Sequence, residues 1–147
     1  MKGKISFDER QLEIRSRIFQ RSFFMVVSLI VANTILENIG IKWAVENWSY
    51  FLIVMLILTI TLIELSINEV MYSPKTERRC SIMMVALGVY GLLFMVFCLF
   101  APAHTGFMED RYISSIGCGF ISGAMFMTVG AVFVVKKVCL RHRMLKE

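Results

Sequence analysis

Histidine is nearly absent from this chain: His104 and His142 are the two in 147 residues. They fall on opposite sides of any membrane the chain crosses four times, so they cannot share a metal ion or a proton. No glycine-rich phosphate loop, nucleophile motif or metal-ligand cluster accompanies them, so no catalysis, cofactor or metal is expected. Proline is equally scarce. Pro74 and Pro102 both stand at the ends of apolar segments, so no helix interior is interrupted by a missing amide. Cys80, Cys98, Cys118 and Cys139 lack the paired spacing of a zinc site and the density of a disulfide scaffold. They read as small hydrophobes. A disulfide is open only to Cys98 and Cys118, toward the outer ends of their helices, because Cys80 and Cys139 lie near a reducing cytoplasmic boundary. The eleven methionines, Met83, Met84, Met125 and Met127 among them, read as gap-fillers rather than copper ligands.

What the chain has in excess is apolar surface. Hydrophobic residues make up 57% of it and its mean hydropathy is +0.68, well above a soluble domain of this size. The apolar residues fall into four segments, about 20–39, 48–71, 81–102 and 112–136. Each is near the ~20 residues that carry a helix across a ~30 Å hydrocarbon layer. The expected architecture is all-α: one membrane domain over 1–147, a four-helix bundle whose first helix has a cytoplasmic amphipathic extension. The first segment is not expected to be a cleaved signal peptide, since Asp8, Glu9 and Glu13 precede it and no small-x-small cleavage site follows it.

Charge sets the expected orientation. Lys2, Lys4, Arg10, Arg15, Arg17 and Arg21 precede or open the first segment. Lys75, Arg78 and Arg79 occupy the middle connection, and Lys136, Lys137, Arg141, Arg143 and Lys146 the tail. The other two connections hold only Lys42 and Arg111. Positive charge concentrates on the cytoplasmic side, which places both termini there and the protein in the cell membrane. Trp43, Trp48 and Tyr50 match interfacial aromatics at the first outer connection. The basic segments suit anionic lipid headgroups, and they carry no nucleic-acid reading motif, so no nucleic-acid partner is expected.

The stretch KISFDERQLEIRSRIFQRSFFMVV, residues 4–27, runs without glycine or proline from charged to apolar sequence. Ser6 to Glu9 fits a capping box, Asp8 and Glu9 complement the helix dipole, and Glu13 and Arg17 make an i,i+4 pair. One helix is therefore expected from about residue 7 to 39. Its first four turns, with Asp8, Glu9, Arg10, Arg15, Arg17 and Arg21, form a candidate partner or lipid surface, where Ile14, Ile18 and Phe19 touch lipid or other helices. Asp8-Glu9-Arg10-Gln11, followed by Ile14 and a basic residue directly before a first membrane helix, resembles a group of uncharacterised small multi-pass membrane proteins of Gram-positive bacteria. The resemblance implies a bacterial plasma-membrane location and a regulatory setting, and it carries over no catalytic residue.

Inside the spans Glu64 stands out, because a central acid costs roughly 2.5–3.5 kcal/mol on insertion scales. Thr61, Glu64, Asn68 and Tyr72 share one helix face. Counting from the helix end puts Glu64 ~12 Å deep, level with Ser28, the Gly88–Tyr90 turn and Thr128, which together make a candidate intramembrane polar layer. Glu69 is placed to pair with Arg78 or Arg79. Asn33 and Glu37 read as an anchoring pair at the outer end of the first helix. Ser115, Gly119 and Gly123 repeat at intervals of four and form a groove for a close helix crossing, internal or between subunits of a homo-oligomer. Two functions fit this pattern. The first is a non-catalytic membrane protein acting through a cytoplasmic or membrane protein partner; the second is a small proton- or cation-coupled transporter or channel, a homodimer with Glu64 as its coupling acid.

Overall fold

A computed structural model describes residues 9–45, 47–68, 70–71, 77–100, 106–109 and 112–144. Ser6, Asp8, Glu69, Tyr72, Pro74, Pro102 and His104 lie outside the described residues, and with them the capping box and the Glu69 pairing. The fold is all-α. Its helices are α1 (Glu9–Asn38), α2 (Trp48–Ile67), α3 (Glu77–Phe100) and α4 (Ser115–Met144). All four are long and apolar enough to cross a membrane. The 30-residue α1 and α4 are ~45 Å long, so each exceeds the hydrocarbon layer by about three turns.

The ends of α1 and α2 and the start of α4 have local causes. α1 closes in a Schellman motif: the Gly40 amide donates to the Glu37 carbonyl at 3.0 Å and the Ile41 amide to that of Leu36 at 2.9 Å. Gly40 supplies the φ of +83° that this turn needs. α2 stops at Ile67, where the Asn68 backbone and side-chain amides both turn back to the Glu64 carbonyl, at 3.0 and 2.9 Å. Lys136 of α4 donates to the last carbonyls, those of Ser66 and Ile67, and so satisfies groups that a helix end leaves open. The second segment therefore leaves the helix four residues before the expected Met71. α4 begins after Ser114, whose hydroxyl accepts from the Gly117 amide at 3.2 Å as an N-cap and donates to the Gly106 carbonyl at 2.6 Å.

The helices pack in the order α1–α2–α4–α3. α2 and α4 form the middle, α1 leans on α2, and α3 on α4. The α3–α4 contact is the most intimate, because glycines face each other across it. An ideal Cβ built on Gly91 would lie 2.6 Å from the Gly123 carbonyl oxygen, and one on Gly130 would lie 2.6 Å from the Gly88 Cα. Gly119 faces Cys98 and Phe94 of α3. Thus Gly119 and Gly123 pack inside the chain, while Ser115 is exposed beside them.

Two small clusters hold the ends of the bundle. At the end where α1 begins and α2 ends, Ile18, Leu65 and Val70 are buried together, with Ile14 and Met71 against them. At the opposite end Ala44, Leu52 and Cys118 pack with Trp43, Trp48 and Ile113. There the two connections join: β1 (Met108–Glu109) pairs antiparallel with β2 (Tyr112–Ile113), and Ile113 also bridges to Ala44. The Ile113 amide donates to the Trp43 carbonyl at 2.9 Å, and the Val45 amide to the Ile113 carbonyl at 3.1 Å. The final segment is thereby a strand at 112–113 before it becomes helix. All four cysteines are free.

Candidate functional site

α1 presents Ile14, Arg17, Ile18 and Arg21 along one face, the spacing that one side of a helix gives. α2 presents Glu64 and Asn68 opposite them, and together these six side chains line a crevice of about 410 Å³. Ile18 is buried against Leu65 and forms the apolar floor. Arg21 ion-pairs with Glu64. One turn away on the solvent side, Arg17 pairs with Glu13 at 2.6 Å. One turn in the other direction, the Ser22 and Thr61 hydroxyls meet at 2.7 Å and tie the helices together. The crevice is thus a charged mouth over an aliphatic floor, closed on its inner side by a hydroxyl pair.

This geometry corrects the expected polar layer. Glu64 lies in the last turn of α2 rather than ~12 Å deep, because the helix ends at Ile67. Its partner comes from α1 and is a cation. Of the residues expected beside it, Thr61 and Asn68 do share its face, but Ser28, Tyr90 and Thr128 lie exposed on the outside of the bundle. Tyr90 stacks on Phe94 at 6.0 Å and Thr128 donates to the Ala124 carbonyl at 2.8 Å. A hydroxyl that closes its bond on its own helix has no need to face inward. Thr59 and Ser122 do likewise, bonding Met55 and Cys118.

The expected surface on the first helix is divided in the same way. Glu9, Arg10 and Arg17 are exposed. The Arg15 guanidinium sits 5.6 Å from the centre of the Phe19 ring, in cation–π range. Arg21 belongs instead to the crevice. Asp8 lies outside the described residues.

A second polar cluster occupies the opposite end, and the sequence shows only part of it. Asn33, 2% exposed, accepts from the Trp43 indole at 2.7 Å and donates to Ser49 at 3.1 Å and to Glu37 at 3.0 Å. The Glu37 carboxylate also accepts from Ser49 and from Tyr50, both at 2.8 Å. Asn33 and Glu37 were legible as an i,i+4 pair. Trp43, Ser49 and Tyr50 were not, since the chain must turn through Gly40 before they come within reach. Trp43 and Tyr50 are therefore members of this latch as well as interfacial aromatics in sequence position. Because its donors and acceptors are matched within the chain, the latch joins α1, α2 and the first connection structurally.

Among the described residues no group of three or more metal-ligating side chains converges. No family model, curated protein or solved structure matches the chain.

Proposed function

We propose that this chain is a non-catalytic multi-pass membrane protein of the bacterial plasma membrane, with both termini in the cytoplasm, that acts by engaging a protein partner at its cytoplasmic end. The observation that carries the reading is the Arg21–Glu64 ion pair. A coupling acid has to exchange its proton or cation during transport. Here Glu64 already has a counter-charge on the neighbouring helix, which favours a clamp between α1 and α2 over a transport site. The same end offers a surface for a partner. Leu12 and Phe19 are about half exposed there, at 49% and 47%, among Glu9, Arg10 and Arg17, and a mixed apolar and charged face of this kind suits a partner helix. Orientation rests on the distribution of Lys and Arg, and the bacterial setting on the resemblance of the Asp8–Gln11 segment. Anionic lipid headgroups and a second copy of the chain are further partners that this end admits.

Two measurements test the reading together. Photocrosslinking in intact cells from residue 10 or 12, but not from Phe97 on the outer face of α3, should trap one discrete partner. Proton and cation flux into proteoliposomes should be no higher for the native protein than for Glu64→Gln. Flux that Glu64→Gln abolishes in folded protein would instead make the chain a small coupled transporter with Glu64 as its acid.

A further inference from the structure

The contact between α3 and α4 leaves an open groove along one side, because the glycines that meet there have no side chains to fill it. Gly88 and Gly130 stand so close that a Cβ on Gly130 would lie 2.6 Å from the Gly88 Cα. Beside them Val85 and Leu92 of α3 and Ala131 and Val134 of α4 wall a space of about 300 Å³. It runs ~10 Å along the helices from Val85 to Leu92. Among the described residues its lining is entirely apolar.

The head of this groove is cationic. Ser81 stands one turn before Val85 and Lys137 one turn after Val134, and the Lys137 ammonium donates to the Ser81 hydroxyl at 2.9 Å, which bridges the two helices there. Arg78 lies on the same face of α3, three residues before Ser81. Arg78 and Lys137 are both exposed, and among the described residues neither has an acidic partner. The wider charge has the same sign: the stretches 69–79 and 136–143, at this end of α3 and α4, hold seven Lys and Arg against Glu69 and Glu77. Arg78 opens one apolar span and Cys139 closes the other. The cations therefore stand at the edge of the hydrocarbon layer, and the groove runs from them toward its middle.

We propose that this groove holds one acyl chain of an acidic phospholipid, with Lys137 and Arg78 on its phosphate. An ammonium carries three donors and a guanidinium five, so Lys137 keeps donors beyond the one given to Ser81, and Arg78 offers its planar fork. A zwitterionic headgroup would bring a cation of its own into this basic surround; an acidic one brings none. The aliphatic walls below the cations suit an acyl chain and give nothing to a free anion. This site goes beyond the partner reading and requires only that the helices cross the bilayer.

The test uses the full chain in phosphatidylcholine vesicles with a trace of phosphatidylglycerol or phosphatidylcholine that carries a photoactivatable diazirine in its acyl chain. Salt at about 0.15 M screens diffuse surface charge, and mass spectrometry after irradiation locates the labelled residues. The phosphatidylglycerol probe should concentrate on Leu92 and Met127 in the groove over exposed Phe23 on α1, and the phosphatidylcholine probe should not. Lys137→Gln, which can still donate to Ser81, should cut the groove labelling about fivefold. Ala131→Leu, which fills the groove from its exposed wall, should cut it at least as much. Arg10→Gln, an exposed arginine on α1, should leave it unchanged, and circular dichroism should show each variant helical. Groove labelling no heavier than that of Phe23, or equal labelling by the two probes, would overturn the site. A loss in Arg10→Gln equal to that in Lys137→Gln would overturn it in favour of general charge attraction. Loss of labelling on adding inorganic phosphate, but not chloride of equal ionic strength, would overturn the lipid as the ligand of these cations. None of these readouts involves the crosslinked protein partner or ion flux, so failure here leaves the partner reading standing.

Discussion

Replacing Gly91 by alanine should open the α3–α4 contact more than any other single methyl addition in the bundle. The new Cβ would stand 2.6 Å from the Gly123 carbonyl oxygen and 2.7 Å from the Met127 amide nitrogen. Both are backbone atoms of a helix and neither can rotate away. Relief requires α3 to retreat by about 0.8 Å, and a gap of that size removes a quarter to a half of the dispersion well of every atom pair along the contact. Overpacking of this kind costs ~1–3 kcal/mol, and the upper part of that range is expected where close backbone approach is the main source of helix association in lipid. Gly119→Ala is the matched comparison. Its Cβ would meet the Cys98 sulfur at 3.1 Å and the Phe94 ring at 3.4 Å, side chains that yield by small rotations, so a cost below about 1 kcal/mol is expected. Reversible unfolding in mixed micelles, titrated with dodecyl sulfate and followed by circular dichroism, gives both values on one scale. Gly91→Ala as stable as the native chain, or no less stable than Gly119→Ala, would refute the close crossing.

Three further outcomes follow from the ends of the bundle. Asn33→Ala should destabilise by ~1–3 kcal/mol, because the Trp43 indole and the Ser49 hydroxyl lose a buried partner; unchanged stability and tryptophan emission would count against the latch. Lys136→Met should leave the fold intact but loosen the last turn of α2, raising hydrogen exchange at Leu65–Asn68 about twofold to fivefold as the two carbonyl contacts vanish. Equal exchange in both proteins would show the contact to be idle. In the folded protein Cys139, which is exposed, should react with a maleimide well before the fully buried Cys118. Modification of Cys118 at the same rate would contradict the packing under Ala44 and Leu52.

The number and type of elements were legible because lipid selects for long apolar helices and hydropathy records that selection directly. α1 was read nearly in full, since Gly40 marks its end and its start has no breaker. The site was harder. Glu64 announces itself by its cost, but its counter-ion sits 43 positions earlier, on a helix where it had been counted with the surface arginines. Depth counted along the sequence failed too, because Asn68 and Lys136 end α2 before its apolar run ends. Serine and threonine misled for a different reason. A hydroxyl in a helix can be satisfied by the carbonyl four residues back, so Thr128 needs no polar neighbour and reports nothing about which face is inside. The glycine repeat at Gly119 and Gly123 was readable as a groove; what fills it, the backbone around Gly91, is visible only once both helices are placed.

The order α1–α2–α4–α3 also bears on how the chain is made. Sequence neighbours pair first, α1 with α2 and α3 with α4, and each pair is a hairpin that can form as soon as it has entered the bilayer. The seam between the two halves, however, runs from α2 to α4, and α4 is the last of these four helices to emerge from the ribosome. Biogenesis is therefore expected to pass through a stage in which the first hairpin stands in the membrane with the α4-facing side of α2 covered only by lipid, until translation delivers the helix that completes it. The two hairpins are in this sense parts joined late. Coexpressed as separate chains, they are expected to find each other and copurify, and failure to do so would show that the middle connection itself is needed to bring them together.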